Sequence, residues 1–247
     1  MPKKISTYIG APHASWVDDT VMQHIENHAF AVKAEVEKIW IGKQFLAPMQ
    51  TFYVDRKAGE KSVQLIIDRQ KQCEEDVRYP PIFVLPEGTQ SNGQYICPFK
   101  RGAFEGLRAV IPVITNYVEC PPYMRPTWEC LGFIEQITLV CSWGVYSCDI
   151  QELPPFKPND FMFEKFADKG NSKAEIFAWA VRDVVSKVSG LPKADQQARD
   201  KAIYKNFITG KTDEIEYNGK KFTAPPIPSI FPCLRKKKKP KTDNSKP

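Results

Sequence analysis

The chain alternates between two hydrophobic rhythms, period two and period 3.6, and each change of rhythm marks an element. Lys4–Ala11 reads as a strand that stops at Pro12, and a helix follows over Trp16–Asn27 with Val21, Met22, Ile25 and Ala29 on one face. Phe30–Ala34 fits a short strand, Glu35–Leu46 a helix, and Thr51–Val54 another β-prone stretch. Lys61–Glu75 is helical, with Val63, Ile66 and Ile67 inward. Pro81–Leu85 and Ala109–Tyr117 are apolar runs between turn signals, the pattern of buried strands. Pro112 pushes the second toward an edge or a bulge, because proline cannot donate to a ladder. Gly144–Leu153 is a third such run. The clearest helix is Ala174–Val188, where Ile176, Phe177, Ala180, Val181, Val184, Val185 and Val188 recur at helical spacing before Gly190 and Pro192 stop it. Asp195–Ile208 is a shorter helix ending at Gly210, and Glu214–Phe222 forms a hairpin around Asn218-Gly219. Strands alternating with helices predict a three-layer α/β domain over 1–211, then the hairpin at 212–223 and a proline-rich, polybasic tail at 224–247.

The length of 247 residues suits one α/β domain or two small ones. With 42% apolar and 26% charged residues, the chain is neither wholly disordered nor a disulfide scaffold. The net charge of +6 is unevenly placed. Cys233–Pro247 holds seven basic residues and one acid, leaving 28 basic and 28 acidic residues elsewhere. An electrically balanced body argues against nucleic acid as a partner. The seven cysteines are scattered with no C-x-x-C, which favours a reducing compartment over a disulfide framework. The longest uncharged run in the body, Gln136–Cys148, is 13 residues, and a spanning helix needs about 20. No transmembrane helix is expected.

Three histidines are available for chemistry. His24 and His28 lie one helical turn apart in H-I-E-N-H, but a zincin needs Glu directly after the first histidine and Ile25 stands there. No third ligand is evident, so no metal site is expected. His13 and Asp18 are five residues apart, about 140° around a helix, and cannot share a helix face. They can meet if His13 lies in the turn after the strand and Asp18 in the first helical turn. That pairing would let a carboxylate hold one ring nitrogen while the other takes a proton. Ser15 and Asp18 equally fit a capping box, S-x-x-D. In the segment Phe83–Ser91 a strand runs into a turn bearing Glu87, Gly88 and Thr89, at the strand end where open α/β sheets place ligands. Lys100 and Arg101 follow beside Gly102, a pair of cations suited to phosphate or carboxylate, or a plain surface turn. Arg56, after Tyr53-Val54-Asp55, could clamp a phosphate in bidentate fashion.

In this order the segments resemble the four blocks of the glycerolipid acyltransferase family. They are H-x4-D at His13 and Asp18, I-G then D-R at Gly42 and Arg56, F-V-L-P-E-G-T at Phe83–Thr89 with F-K-R-G-A-F at Phe99–Phe104, and V-I-P-V at Val110–Val113. Ala11-Pro12-His13, Pro126-Thr127-Trp128 and Ser189-Gly190-Leu191-Pro192 resemble the lysophosphatidylcholine acyltransferase branch. The resemblance spans roughly residues 5–210. It implies a central mixed sheet flanked by helices and transfer of a fatty acyl group from acyl-CoA to the free hydroxyl of a lysophospholipid. It also implies roles. His13 would be the general base, Asp18 would orient it, and Arg56, Glu87, Gly88 and Thr89 would hold the acceptor. Lys100 and Arg101 would reach phosphates of acceptor or CoA. Acyl-CoA is then a substrate, and neither cofactor nor metal is implied. Two other readings use the same residues: a thioesterase with water as acceptor, and a lipid-binding relative without activity. Gln90 stands where the broader family often has arginine, which loosens any tie to lysophosphatidic acid.

The family's hydrophobic anchor has no counterpart in the twelve residues before His13. Thr223–Leu234 carries Ile227, Ile230, Phe231 and Leu234 and runs into the polybasic stretch. Apolar insertion plus lysines near anionic lipid make a two-signal interfacial anchor. The tail is therefore expected to bind an anionic membrane surface on the cytosolic face, at the endoplasmic reticulum by family resemblance.

Overall fold

The computed structural model describes residues 4–34, 44, 47–54, 59–118, 126–127, 133–143, 146–196, 198–208, 210–217 and 219–223. The helix expected at Glu35–Leu46 (apart from Gln44), the Gly42 and Arg56 motif positions, Trp128 and the tail lie outside the described residues. The chain forms two compact units, Met1–Asp195 and Gln196–Pro247.

The first unit is built on a six-stranded sheet in the order β3-β2-β4-β1-β5-β6. The strands are β1 (Thr7–Ala11), β2 (Ala29–Lys33), β3 (Phe52–Val54), β4 (Ile82–Val84), β5 (Val110–Val118) and β6 (Ser147–Glu152). The first five run parallel and β6 is antiparallel to β5, so the sheet is mixed. β1 lies between β4 and β5, with Thr7 opposite both Ile82 and Val110. The helices of this unit are α1 (Val17–Ile25), α2 (Glu60–Glu75), α3 (Phe133–Trp143), α4 (Asp160–Lys165) and α5 (Lys173–Ser189).

Side chains alternate across the sheet as the pleat requires. On one face Ile9 and Val110 pack with Phe177 and Val181 of α5, while Ile82 meets Ile66 of α2. On the other face Phe83 and Val113 pack with Met22 of α1. Helices on both faces make the three-layer α/β architecture. Gly10 allows this packing: an added Cβ would overlap the Phe83 ring and lie 2.9 Å from Leu85 Cδ2. α5 begins where the Ser172 side chain accepts from the Glu175 N–H and ends at Gly190, which is left-handed at φ 72°. Among the described residues no helix is long and apolar enough to cross a membrane.

Three expectations need correction. Ile25 is 48% exposed, while Asp18 and Met22 are the buried residues of α1, so a carboxylate occupies part of the inward face. Within the run at Gly144–Leu153, Ser147–Glu152 form β6, an edge strand with mostly exposed side chains rather than a buried one. Pro112 sits in an interior strand, opposite Ile9. Its carbonyl accepts from Leu153 N at 2.8 Å, so its N–H-less side faces β6. There the pairing slips by one residue between Val113↔Glu152 and Val110↔Phe156. The bulge half of the expectation holds, and the extra residue lies where the missing donor would have pointed.

The second unit holds α6 (Ala198–Ile208) and a hairpin of β7 (Glu214–Tyr217) and β8 (Lys220–Thr223). Gly219, at φ 71°, sits in the two-residue turn, a conformation glycine adopts without penalty.

Candidate active site

Parallel β1, β4 and β5 end at the same edge of the sheet, so the segments that follow β1 and β4 converge there. β1 runs through a cis Ala11–Pro12 peptide into His13. Asp18 is the second residue of α1. The break at Pro12 lets the two side chains meet, with His13 Nδ1 2.8 Å from Asp18 Oδ2. The histidine side chain is 14% exposed and the aspartate fully buried. A carboxylate oxygen can only accept here, so Nδ1 carries the proton and Nε2 is the nitrogen left to act as base.

Asp18 does more than hold the ring. Oδ2 also accepts from Ala14 N at 3.0 Å and Ser15 N at 3.1 Å, and Oδ1 accepts from the Tyr117 hydroxyl at 2.5 Å. The capping alternative is present too, with Ser15 Oγ accepting from Val17 N at 3.2 Å. One carboxylate therefore closes the turn, starts the helix and orients the imidazole. The two readings of the sequence describe a single arrangement.

The turn after β4 fixes the backbone of His13. Glu87 is 3% exposed, and its Oε2 accepts from His13 N at 3.3 Å while Oε1 accepts from Cys97 N at 3.1 Å. Ser91 N donates to His13 O at 2.8 Å. The H-x4-D and P-E-G-T segments are thus one structure, with both backbone polar groups of His13 held by residues 87–91. Burial pushes the Glu87 carboxyl up to about 8, against the pull of the two N–H groups and of the Arg182 charge. Asp19, half-buried beside the dyad, is pushed up to about 7 by burial, opposed by His13 and reinforced by Asp18.

Gly88 takes the left-handed conformation at φ 68° and donates its N–H to Leu85 O at 3.1 Å. The Lys100 side chain lies across it: an added Cβ at Gly88 would be 2.7 Å from Lys100 Nζ. Thr89 is half-buried in the same turn. The structure thus brings His13, Asp18, Glu87, Gly88, Thr89 and Lys100 to one edge. Arg101 departs from this group, since its guanidinium pairs with Glu105 at 3.0 Å and Glu175 at 3.3 Å. An anion at Arg101 would have to compete with those carboxylates. Arg56 lies outside the described residues. β3, which precedes it, ends at the same sheet edge three strands from β1, about 14 Å by strand spacing.

Three residues at the site were not singled out in the sequence. Tyr117 and Thr115 extend the apolar V-I-P-V strand, and Thr115 Oγ1 donates to Pro12 O at 3.3 Å. Their period-two spacing from Val113 was the available signal. Arg182 is buried on α5 and donates to Ile96 O at 2.7 Å and to Ala194 O, bracing the backbone beside Cys97. An arginine inside the apolar stripe of α5 was its signal. His28 is fully buried, with Nδ1 2.8 Å from Glu26 O, and burial lowers its pKa. Among the described residues no group of three or more His, Cys, Asp or Glu could hold a metal ion.

Residues 8–119 match the model of the Acyltransferase family. The chain is 26% identical over 201 residues to a lysophosphatidylcholine acyltransferase of Drosophila melanogaster, covering 80% of this chain and 36% of that one. It is 24% identical over 208 residues to the lysophospholipid acyltransferase LPEAT1 of Arabidopsis thaliana, covering 82% and 49%. It is 24% identical over 200 residues to human lysophosphatidylcholine acyltransferase 1, covering 81% and 36%. The chain thus spans between about a third and a half of the length of these relatives. The crystal structure of the 1-acyl-sn-glycerophosphate acyltransferase PlsC from Thermotoga maritima superposes with a TM-score of 0.46 at 18% identity, covering 76% of this chain and 68% of that one.

Proposed function

We propose that the chain, whose residues 8–119 match the model of the Acyltransferase family, moves a fatty acyl group from acyl-CoA to the free hydroxyl of a lysophospholipid, with a lysophosphatidylcholine-like acceptor. The observation that carries this reading is the His13–Asp18 pair, 2.8 Å apart and locked by Glu87 and Ser91. His13 Nε2 takes the proton of the acceptor hydroxyl as its oxygen attacks the thioester carbonyl. Asp18 steadies the imidazolium through Nδ1. When the C–S bond breaks, the CoA sulfur leaves and takes the proton back from the imidazolium. The thioester is already activated, so the two side chains account for every proton moved. Glu87 acts through the His13 backbone, while Gly88, Thr89 and Lys100 line the side from which an acceptor headgroup or CoA phosphate approaches, and Arg56 is assigned to that headgroup by its motif alone. Arg101, paired with Glu105 and Glu175, is not given a role in this reading.

The tail carries the protein to its lipid. Seven basic residues over Cys233–Pro247 follow the apolar Thr223–Leu234 stretch, and this pairing suits a cytosol-facing anionic membrane such as the endoplasmic reticulum. The relatives named above are lysophospholipid acyltransferases by name, which supports an acceptor drawn from the bilayer.

The experiment is release of CoA thiol from acyl-CoA with and without a panel of lysophospholipids, with the acylated product identified by mass spectrometry. Release that depends on the acceptor, and that falls at least about a hundredfold in His13→Ala, is expected of a general base. Equal release without acceptor would turn the reading to a thioesterase. Undiminished rates in a folded His13→Ala would remove the base altogether.

A further inference from the structure

The two oxygens of Asp18 are not treated alike. Oδ2 collects His13 Nδ1 and two backbone N–H groups, whereas the donor to Oδ1 among the described residues is the Tyr117 phenol at 2.5 Å. The two N–H groups would hold Oδ2 even if the carboxylate rocked about its Cβ–Cγ bond. Oδ1 sets that rotation, and Tyr117 sets Oδ1. The strand is arranged for it. β5 turns Val113, Thr115 and Tyr117 to the α1 face, where Val113 packs with Met22, Thr115 holds the Pro12 carbonyl and Tyr117 holds Asp18. Both ends of the turn that carries His13 are therefore tied to a single strand.

A buried tyrosine needs a partner for its hydroxyl, and many find a backbone carbonyl. Here the partner is the carboxylate that faces the base, across 99 residues of chain. Tyr117 is 5% exposed. Burial and the neighbouring Asp18 push its phenol far above the ordinary range, so it is a donor at every working pH. A phenol donating to a carboxylate at this distance makes a charge-assisted bond and takes up part of the anion's charge. The share it takes is withheld from the imidazolium that forms at His13.

We propose that Tyr117 is a positioning residue of the His13–Asp18 pair, fixing the rotation of the Asp18 carboxylate and moderating the proton affinity of His13. The proposal rests on the acyltransferase reading for its consequence in turnover, while its geometry and its effect on His13 stand apart from it. Among the described residues three other titratable groups face the pair: Asp19 of α1, Glu87 of the turn after β4 and Cys148 of β6, which sits opposite Tyr117. The Cys148 thiol is pushed up to about 11 by burial and by Asp18, so it stays neutral through the range that matters. Asp19 and Glu87 are left in place in the test, and their effect is common to every variant.

The sign of the effect follows from charge sharing. Without the phenol, Asp18 keeps its full charge for the imidazolium, so His13 titrates at a higher pH. The experiment uses the full chain and three forms: wild type, Tyr117→Phe, and wild type carrying 3-fluorotyrosine, a stronger hydrogen-bond donor, at position 117. His13 ring resonances are assigned by their loss in His13→Ala and titrated by NMR. We expect a rise of about 0.5 pH units or more in Tyr117→Phe and a fall with fluorotyrosine. In turnover, the acid limb of kcat/KM moves with the NMR value, and kcat drops about threefold to thirtyfold in Tyr117→Phe, within reach of one charge-assisted bond. Acceptor KM stays within about twofold, since Tyr117 has no place in substrate binding.

A His13 titration that moves by less than about 0.1 pH unit in both altered forms overturns the proposal, whatever happens to stability. Should Tyr117→Phe fail to fold, fluorotyrosine alone decides: a lowered His13 titration supports the inference and an unmoved or raised one refutes it. If the wild type shows no acceptor-dependent CoA release, the acyltransferase reading fails, and the NMR titration still judges Tyr117.

Discussion

Replacing Asp18 by asparagine separates the charge of the dyad from its shape. The amide must put its oxygen where Oδ2 lies, because an NH2 group there would face His13 Nδ1–H and the Ala14 and Ser15 N–H groups. Its nitrogen then faces the Tyr117 oxygen. The phenol can accept that N–H, but its own proton loses the carboxylate. One donor without a partner costs about 1–3 kcal/mol, and relief from burying a carboxylate offsets part of the weaker bonds at Oδ2. A stability loss of about 1–3 kcal/mol is expected. Asp18→Ala would strand all four donors, a loss on the order of the whole stability of a domain, ~5–15 kcal/mol. Catalysis is hit harder. The imidazolium at His13 loses its counter-charge, and a unit pair about 4 Å apart at an effective dielectric near 20 is worth roughly 4 kcal/mol. That converts to about a thousandfold in rate, inside the range of about 10²–10⁴ typical of general-base catalysis. The assay is acceptor-dependent CoA release alongside urea unfolding of wild type, Asp18→Asn and Asp18→Ala. An asparagine variant within about tenfold of wild-type kcat would refute the counter-charge role. An alanine variant as stable as the asparagine one would refute the four-donor account.

Gly10→Ala should destabilise the first unit by about 1–3 kcal/mol, the usual cost of overpacking, because the new Cβ meets the Phe83 ring and Leu85. A urea midpoint unchanged from wild type would contradict that packing. Stability should fall as pH rises, since burial raises the Asp19 and Glu87 carboxyls to about 7 and about 8, well above the ordinary carboxylate range. Each keeps its proton in the folded state over a range where the unfolded chain has lost it, so the stability each contributes is present below the unfolded value and is lost as pH climbs to the folded one. Urea midpoints at about pH 5 and about pH 8 should therefore differ, and Asp19→Asn should shrink the gap. An unchanged gap would show that Asp19 carries no such shift. Replacing Lys236, Lys237, Lys238 and Lys239 together by glutamine should weaken binding to anionic vesicles by up to roughly three orders of magnitude at low salt, at about 1 kcal/mol per lysine. Binding indifferent to both salt and substitution would exclude the polybasic anchor.

What the sequence revealed and what it hid follow from one physical difference. Period and punctuation reveal elements, because burial is averaged over a whole face. The α5 stripe with Gly190 at its end, the Asn218-Gly219 hairpin and the apolar run of β4 were all readable in this way. Hydrophobicity misleads where a polar group takes a core position for chemical reasons. α1 turns Asp18 inward and leaves Ile25 in solvent, because four donors converge on that carboxylate, and the fourth, Tyr117, could not be known before the strands were paired. The same limit hid Tyr117. The motif V-I-P-V ends at Val113, and nothing local says that two pleats further on the strand meets a helix 99 residues earlier. It also mislaid β6, whose residues are β-prone, although edge or centre depends on what pairs beyond it. The functional pair itself was legible because its constraint is local. Five residues across a proline break bring His13 and Asp18 together, and the capping geometry that seemed a rival is what holds Asp18 there. Long-range pairing then supplies what the local motif lacks: Glu87 for the backbone of the base and Tyr117 for the far oxygen of its partner. A five-residue motif could pair the dyad, but the parallel order β4-β1-β5 is what makes it rigid, by ending three strands at a single edge.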